Sequence, residues 1–133
     1  MEKIITSGKR KTAVARAIIT EGNGKITLNR KDYKNLGFFN RLRLEEPIRI
    51  SETVLGKINF NVEILTRGGG EKGQIEAARL ALARGIVAFS KSKPLRESYL
   101  AYDRNMLVAD VRRKETYKPG DSKARRKRQK SYR

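Results

Sequence analysis

The last eleven residues, Lys123-Ala-Arg-Arg-Lys-Arg-Gln-Lys-Ser-Tyr-Arg133, limit what this chain can fold into. Seven are Lys or Arg, none is acidic, and Tyr132 is the only sizeable apolar side chain. Ordering a residue costs about 1–2 kcal/mol of backbone entropy, which burial of apolar surface must offset. This stretch has almost nothing to bury, and its neighbouring like charges repel. On its own it is expected to be an extended arm, disordered when free, reaching at most about 36–40 Å. Any folded core therefore belongs to the residues before it.

Residues 1–111 are read as one globular body and 112–133 as the basic tail. The 38% hydrophobic and 7% aromatic content of the 133 residues suffices for one modest core. Eleven basic and two acidic residues from Arg112 onward leave half of the +18 net charge on the body. A body and tail that both repel themselves call for a polyanionic partner. With no Cys and no His, thiol nucleophiles, imidazole acid–base chemistry and Cys/His zinc sites are excluded. The carboxylates are scattered among cations, where they balance charge. The expectation is a binding protein and not an enzyme, with no cofactor, metal or small-molecule substrate and no homo-oligomer. No apolar run approaches a membrane span, no signal-peptide core follows Met1, and the lack of Cys suits a reducing cytoplasm.

Along the chain, Ile4 and Ile5 open a short apolar segment, and Gly8-Lys9-Arg10-Lys11-Thr12 reads as a basic connection. Residues 13–20 alternate as a strand, with Ala13, Ala15, Ala17 and Ile19 on one face. Three alanines there leave room for a closely packed helix. Glu21-Gly22-Asn23-Gly24 is a turn signal, and 25–28 is the returning strand of a hairpin. Asn29 and Asp32 suggest a cap for a short helix through Leu36, ended by Gly37. In 41–55 the spacing of Leu44, Ile48 and Leu55 favours a helix with Pro47 in its first turn. Residues 59–65 are the cleanest strand, with Phe60, Val62 and Ile64 inward. Residues 74–90 form the best helix, with Ile75, Ala78, Leu82, Ile86 and Phe89 on one stripe and Arg84 and Lys91 on the far side. After Pro94 come a short helix at 95–102 and a last strand at 106–111.

Two stretches carry chemistry. Gly68-x-Gly70-x-x-Gly73, between a strand and a helix, fits the dinucleotide fingerprint. The acidic residue that fold needs about 20 residues on falls instead on Lys91-Ser92-Lys93-Pro94. A tight turn, a nucleotide site and a contact to a nucleic-acid backbone all remain open, since exposed N–H groups at a helix start suit any phosphate. The second stretch is Lys9-Arg10-Lys11, three consecutive cations placed to touch phosphate.

Three motifs together resemble a known family. They are Gly8-Lys-Arg-Lys-Thr-Ala-Val-Ala-Arg16; Gly68-Gly-Gly-Glu-Lys-Gly-Gln-Ile-Glu-Ala-Ala-Arg79 with Ala83-Arg84; and Asp110-Val-Arg-Arg-Lys-Glu115 leading to the tail. In this order, and nearly end to end, they resemble small-subunit ribosomal protein number nine. The Ser-Tyr-Arg ending resembles the archaeal and eukaryotic branch, and the short N-terminus and length resemble its archaeal members. The resemblance implies an α+β fold, a four-stranded sheet packed against helices as in the second domain of small-subunit ribosomal protein five. It also implies a seat in the small-subunit head on the large rRNA, beside other head proteins, with the tail reaching the peptidyl-site tRNA. By position it makes Lys9, Arg10, Lys11, Arg67, Gly68, Gly69, Gly70, Lys72, Gly73 and Arg79 rRNA contacts of the body, and Arg112 and Arg113 rRNA contacts at the start of the tail. Lys123, Arg125, Arg126, Lys127 and Arg128 become an rRNA-embedded stem, and Lys130, Ser131, Tyr132 and Arg133 the tRNA-proximal tip. Tyr132 replaces the cation of the bacterial pattern, which favours stacking on a base or ribose.

Two readings from other classes compete. One is a free nucleic-acid chaperone using the same charge without a fixed site. The other is a binder of anionic membranes, for which the tail lacks Trp, Phe or Leu beside its cations. Co-migration with small subunits on a sucrose gradient separates the three.

Overall fold

A computed structural model describes residues 3–112. In chain order the elements are Ile4–Arg10 (β1), Ala13–Glu21 (β2), Ile26–Leu28 (β3) and Lys31–Asp32 (β4). A 3-10 turn at Tyr33–Asn35 precedes Phe38–Leu55 (α1), Phe60–Arg67 (β5), Glu71–Ser90 (α2) and Lys93–Tyr102 (α3), and a second 3-10 turn follows at Arg104–Met106. The architecture is α+β, as expected, but the sheet has five strands rather than four, in the order β1-β2-β5-β3-β4. β2 runs antiparallel to both β1 and β5, β3 pairs parallel with β5, and the two-residue β4 closes the edge against β3.

Alternation decides which face the helices cover. Ala13, Ala15, Ala17 and Ile19 of β2, Phe60, Val62 and Ile64 of β5, and Ile26 and Leu28 of β3 are buried together. α2 lies over β1, β2 and β5, and its other side meets α1 and α3. Being covered from both sides, α2 buries Ala77, Leu80, Ala81 and Ala83 as well as the expected stripe of Ile75, Ala78, Leu82 and Ile86. Phe89, the last stripe residue, is half-buried and packs its ring against Phe60 at 5.4 Å between centroids.

The helix sits close because the facing residues are small. A Cβ on Gly8 would lie 2.3 Å from the Ala77 carbonyl oxygen and 2.7 Å from the Ala81 nitrogen. A Cβ on Gly85 would lie 2.2 Å from Ile19 Cδ1. Beside them, the Thr6 hydroxyl donates to the Ala81 carbonyl at 2.8 Å.

Several local expectations are corrected. Gly8, Lys9 and Arg10 belong to β1, and the connection to β2 is only Lys11-Thr12. β2 and β3 are not hairpin partners, because β5 runs between them. The Asn61 side chain on β5 explains the wide loop: its Oδ1 accepts from the N–H groups of Asn23, Gly24 and Lys25 at 3.0–3.2 Å. Asn29 caps no helix. It turns the chain between β3 and β4 with φ of 51° and bonds Thr66, while Asp32 caps the 3-10 turn by accepting from Lys34 N–H. Gly37 begins α1 rather than ending a helix.

Pro47 lies inside α1, well past its first turn. The Pro47 carbonyl accepts the buried Tyr99 hydroxyl at 2.7 Å, which ties α3 to the helix at that point. Burial raises the Tyr99 pKa well above the ordinary phenol value, so it stays a donor. α2 begins at Glu71, three residues earlier than the periodicity indicates, and Pro94 lies in the first turn of α3. The expected strand at 106–111 is the end of a 3-10 turn and irregular chain, and its Leu107 carbonyl accepts from Arg84 Nε at 2.9 Å. Arg84 is thereby half-buried rather than free on the far side of the helix. Its second bond, to the Ser7 carbonyl at 3.0 Å, straps this segment to β1.

Gly8→Ala should destabilise by at least about 1–3 kcal/mol in urea denaturation, because its clash is with helix backbone. Gly70→Ala, where a Cβ meets nothing within 4 Å, should leave the midpoint unchanged. The hydrogen bond from Arg41, then the charges of Arg41 and Arg49, hold the Glu45 carboxyl below its ordinary range against the opposing effect of burial. A lowered folded-state pKa stabilises above the unfolded carboxylate range and loses that contribution as pH falls through the folded value. Glu45→Gln should therefore lower the melting temperature at pH 7, and the gap to the parent should close on acidification.

Candidate nucleic-acid interface

Three of the predicted stretches meet at one end of the sheet. Lys11, with φ of 54°, and Thr12 form the β1–β2 turn, and the loop leaving β5 folds back against it. Gly68 and Gly69 both have positive φ, at 74° and 65°. A Cβ on Gly68 would meet the Thr12 carbonyl at 2.7 Å, and one on Gly69 the Ala13 Cβ at 2.9 Å. These two glycines are therefore needed by the fold itself, for conformation and for space. Gly70 is different. It is the N-cap of α2, has negative φ, faces open space and makes no side-chain cap bond. The first N–H groups of α2 follow it, beside Lys72 and Gly73, and Gln74 Nε2 pins the loop by donating to the Gly68 carbonyl at 3.0 Å.

The strand order adds a cation that the sequence reading passed over. Lys9 on β1, Val14 on β2 and Arg67 on β5 are register partners, and the next outward-facing row is Ser7, Arg16 and Leu65. Lys9, Arg16 and Arg67 thus share the outward face of the sheet, and all are exposed. Around Arg16 and Arg67 a 500 Å³ hollow is lined also by Val14, Asn29, Leu65 and Thr66. Alternation marked Arg16 as outward, but grouping it with Arg67 required knowing that β5 is the neighbour of β2.

Other predicted cations turn inward. Arg10 Nε pairs with Glu76 at 2.7 Å, and its Nη1 with Asp110, which also binds Arg112 at 2.6 Å. Arg79 is only 6% exposed, with one Nη close to Glu46 at 2.6 Å and Asp103 at 3.2 Å, and its buried Nε has no acceptor. These residues line a 200 Å³ cleft on which Lys9 and Arg43 also border. Arg10 and Arg79 join β1, α1, α2 and the segment after α3, and their charge is largely met within the protein. Arg113, Lys123, Arg125, Arg126, Lys127, Arg128, Lys130, Ser131, Tyr132 and Arg133 lie outside the described residues.

The dinucleotide reading of the glycines does not match the topology. β5 pairs antiparallel with β2, and α2 leads into α3 rather than into a parallel strand among the described residues.

Residues 8–133 match the family described as ribosomal protein S9/S16. A protein of Methanococcus vannielii named small ribosomal subunit protein uS9 is 43% identical over 136 residues, with the whole of both chains covered. The chain belongs to the ribosomal protein S9 family. Proteins of the same name from Thermoplasma volcanium, 43% identical over 134 residues, and Methanococcus maripaludis, 41% identical over 136, are likewise matched over their whole length. These relatives are archaeal, in keeping with the Ser-Tyr-Arg ending. An S9 protein is a structural constituent of the small ribosomal subunit and not an enzyme, and rRNA binding is general to the family. It works in the cytoplasm as part of the ribosome. Among the described residues no helix is long and apolar enough to cross a membrane.

The two kinds of cation should separate in urea denaturation. Arg79→Gln should cost about 1–3 kcal/mol, because it leaves Glu46 and Asp103 without their counter-charge at a partly buried site. Lys11→Gln and Arg67→Gln, on exposed surface, should stay within about 0.5 kcal/mol of the parent.

Proposed function

We propose that this S9 protein seats its body on rRNA of the small-subunit head through the β1–β2 turn and the glycine loop, and extends its tail to the peptidyl-site tRNA. The observation that carries the seat is the convergence of Lys9, Lys11, Arg16 and Arg67 with the open Gly70 start of α2. Exposed cations neutralise phosphates, and the unsatisfied N–H groups of a helix start give directional contacts to one of them. Lys72 and Gly73 extend this surface, Gly68 and Gly69 shape it, and Arg10, Arg79 and Arg112 stand behind it. Beyond the body, Arg113, Lys123, Arg125, Arg126, Lys127 and Arg128 form the rRNA-bound stem. Lys130, Ser131, Tyr132 and Arg133 form the tip at tRNA, with Tyr132 stacking on a base or ribose. Neighbouring head proteins complete the surroundings.

Gly70 offers a clean test, because its side-chain space is free in the protein alone. Gly70→Val should fold normally and yet lower incorporation into small subunits more than Lys72→Gln does; equal incorporation of the two variants would remove the loop from the interface. For the tail, deletion of Lys130, Ser131, Tyr132 and Arg133 should leave subunit occupancy nearly intact. It should speed tRNA dissociation from the peptidyl site modestly, since one or two charge-assisted bonds are worth at most about 1.5–3 kcal/mol each. Neutralising Arg125, Arg126, Lys127 and Arg128 together should impair incorporation itself. Gradient occupancy and tRNA dissociation measured on the same subunits decide it. Loss of occupancy on tip deletion, or unchanged dissociation with the tip gone, defeats the division of labour.

A further inference from the structure

The start of α1 carries a feature that neither the seat nor the tail uses. Phe38 and Phe39 are 70% and 79% exposed, and their rings meet edge to face at 5.5 Å between centroids. Exposed paired aromatics over which nothing among the described residues packs call for a ligand. Beside Phe39 opens a 590 Å³ groove whose apolar floor includes Leu42 and Ile75 and whose rim carries Arg43 and Lys72. Its two carboxylates are already engaged, Glu46 by Arg79 and Glu76 by Arg10. Among the described residues Arg43 and Lys72 have no ion-pair partner. The rim is therefore positive and the floor apolar.

We propose that this groove is a binding site for an unpaired nucleotide of rRNA, its base stacked on Phe39 and its flanking phosphates held by Arg43 and Lys72. The proposal rests on the rRNA reading of the seat and adds a second, stacking contact to it. Three observations select RNA over an apolar protein segment. Both free charges at the rim are cations, which an apolar segment would leave buried and unpaired, whereas a phosphodiester meets both. Phe39 and Arg43 are one helical turn apart, so ring and guanidinium lie on the same side of α1, as a base and its phosphate require. The groove also adjoins the proposed phosphate surface, since Asn40 Nδ2 donates to Glu71 Oε1 at 2.7 Å, one residue after Gly70. A duplex would not use the ring faces, because its bases are already stacked. The ligand is an unpaired nucleotide.

The experiment uses the full chain assembled into small subunits. A benzoylphenylalanine at position 39 is photo-crosslinked and its partner mapped by reverse-transcription stops and by protein mass. In parallel, Phe39→Ala, Phe39→Trp and an Arg43→Gln/Lys72→Gln pair compete with the parent for incorporation. The expected result is a crosslink to one unpaired rRNA nucleotide. Phe39→Ala should be weakened roughly 5- to 150-fold, as loss of one base–aromatic stack gives, and Phe39→Trp should be close to the parent. The double cation variant should be weakened with a shallower salt dependence. A crosslink to a neighbouring protein overturns the proposal, as does equal competition by Phe39→Ala. If Lys9→Gln/Arg16→Gln/Arg67→Gln loses occupancy while Phe39→Ala keeps it, the seat stands and the stacking site falls. If the parent chain itself does not enter small subunits, both fall.

Discussion

The approach of α2 to the first two strands is the contact on which the rest of this protein depends. Gly8 and the alanines of β2 on one side, and Ala77 and Ala81 on the other, let a helix backbone rest almost directly on a sheet. Small residues bury little area each, so the stabilisation comes from continuity: the whole length of α2 stays in contact, and larger side chains fill in around it. The same proximity sets the geometry of the interface. It brings the first turn of α2 over the β1–β2 turn, where a Cβ on Gly73 would lie 3.5 Å from the Ala13 Cβ. A bulkier seam would lift the helix start away from Lys11, and the groups proposed to meet phosphate would no longer share one surface.

Charge is sorted as carefully as size. Glu45 lies between Arg41 and Arg49, Glu46 and Asp103 hold Arg79, and Glu76 and Asp110 hold Arg10. Glu45 is paired within α1, and the other four carboxylates are turned toward the joints between α1, α2, β1 and the segment after α3. The cations at the hairpin end, Lys9, Lys11, Arg16 and Arg67, are left facing outward without such partners among the described residues. Ion pairing thus separates cations that hold the fold together from cations left to meet a polyanion.

How much of this the sequence disclosed follows from the range of each signal. Alternation in β2 and β5 and the 3.6-residue period of α2 are local, and they were legible with their buried faces correctly assigned. The three alanines even announced a close helix. Strand order is not local. The 21–24 turn looks like a hairpin whatever lies beside it, and only the Asn61 side chain, far along the chain, reveals that β5 separates the two strands. Cations suffer the same ambiguity. Arg79, Arg84 and Lys11 look alike in a sequence, yet one is buried in an ion-pair cluster, one ties carbonyls of two segments together, and one is exposed. Motif position picked out residues that the fold brings together at one end of the sheet, while sorting them into buried and exposed groups needed the tertiary structure. Phe38 and Phe39 went unremarked because an exposed aromatic is anomalous only once its exposure is known.

The helices lie on one face of the sheet, and the other face presents Ile5, Val14 and Leu65 exposed among its cations. A sheet finished on one side is stable enough to fold, but its bare side offers apolar surface and self-repelling charge to whatever it meets first. Between synthesis and assembly, such a chain is an orphan whose safety depends on how soon it is captured. Like charge keeps such molecules apart from one another, so the same cations that await a polyanion also guard the apolar residues between them until one arrives.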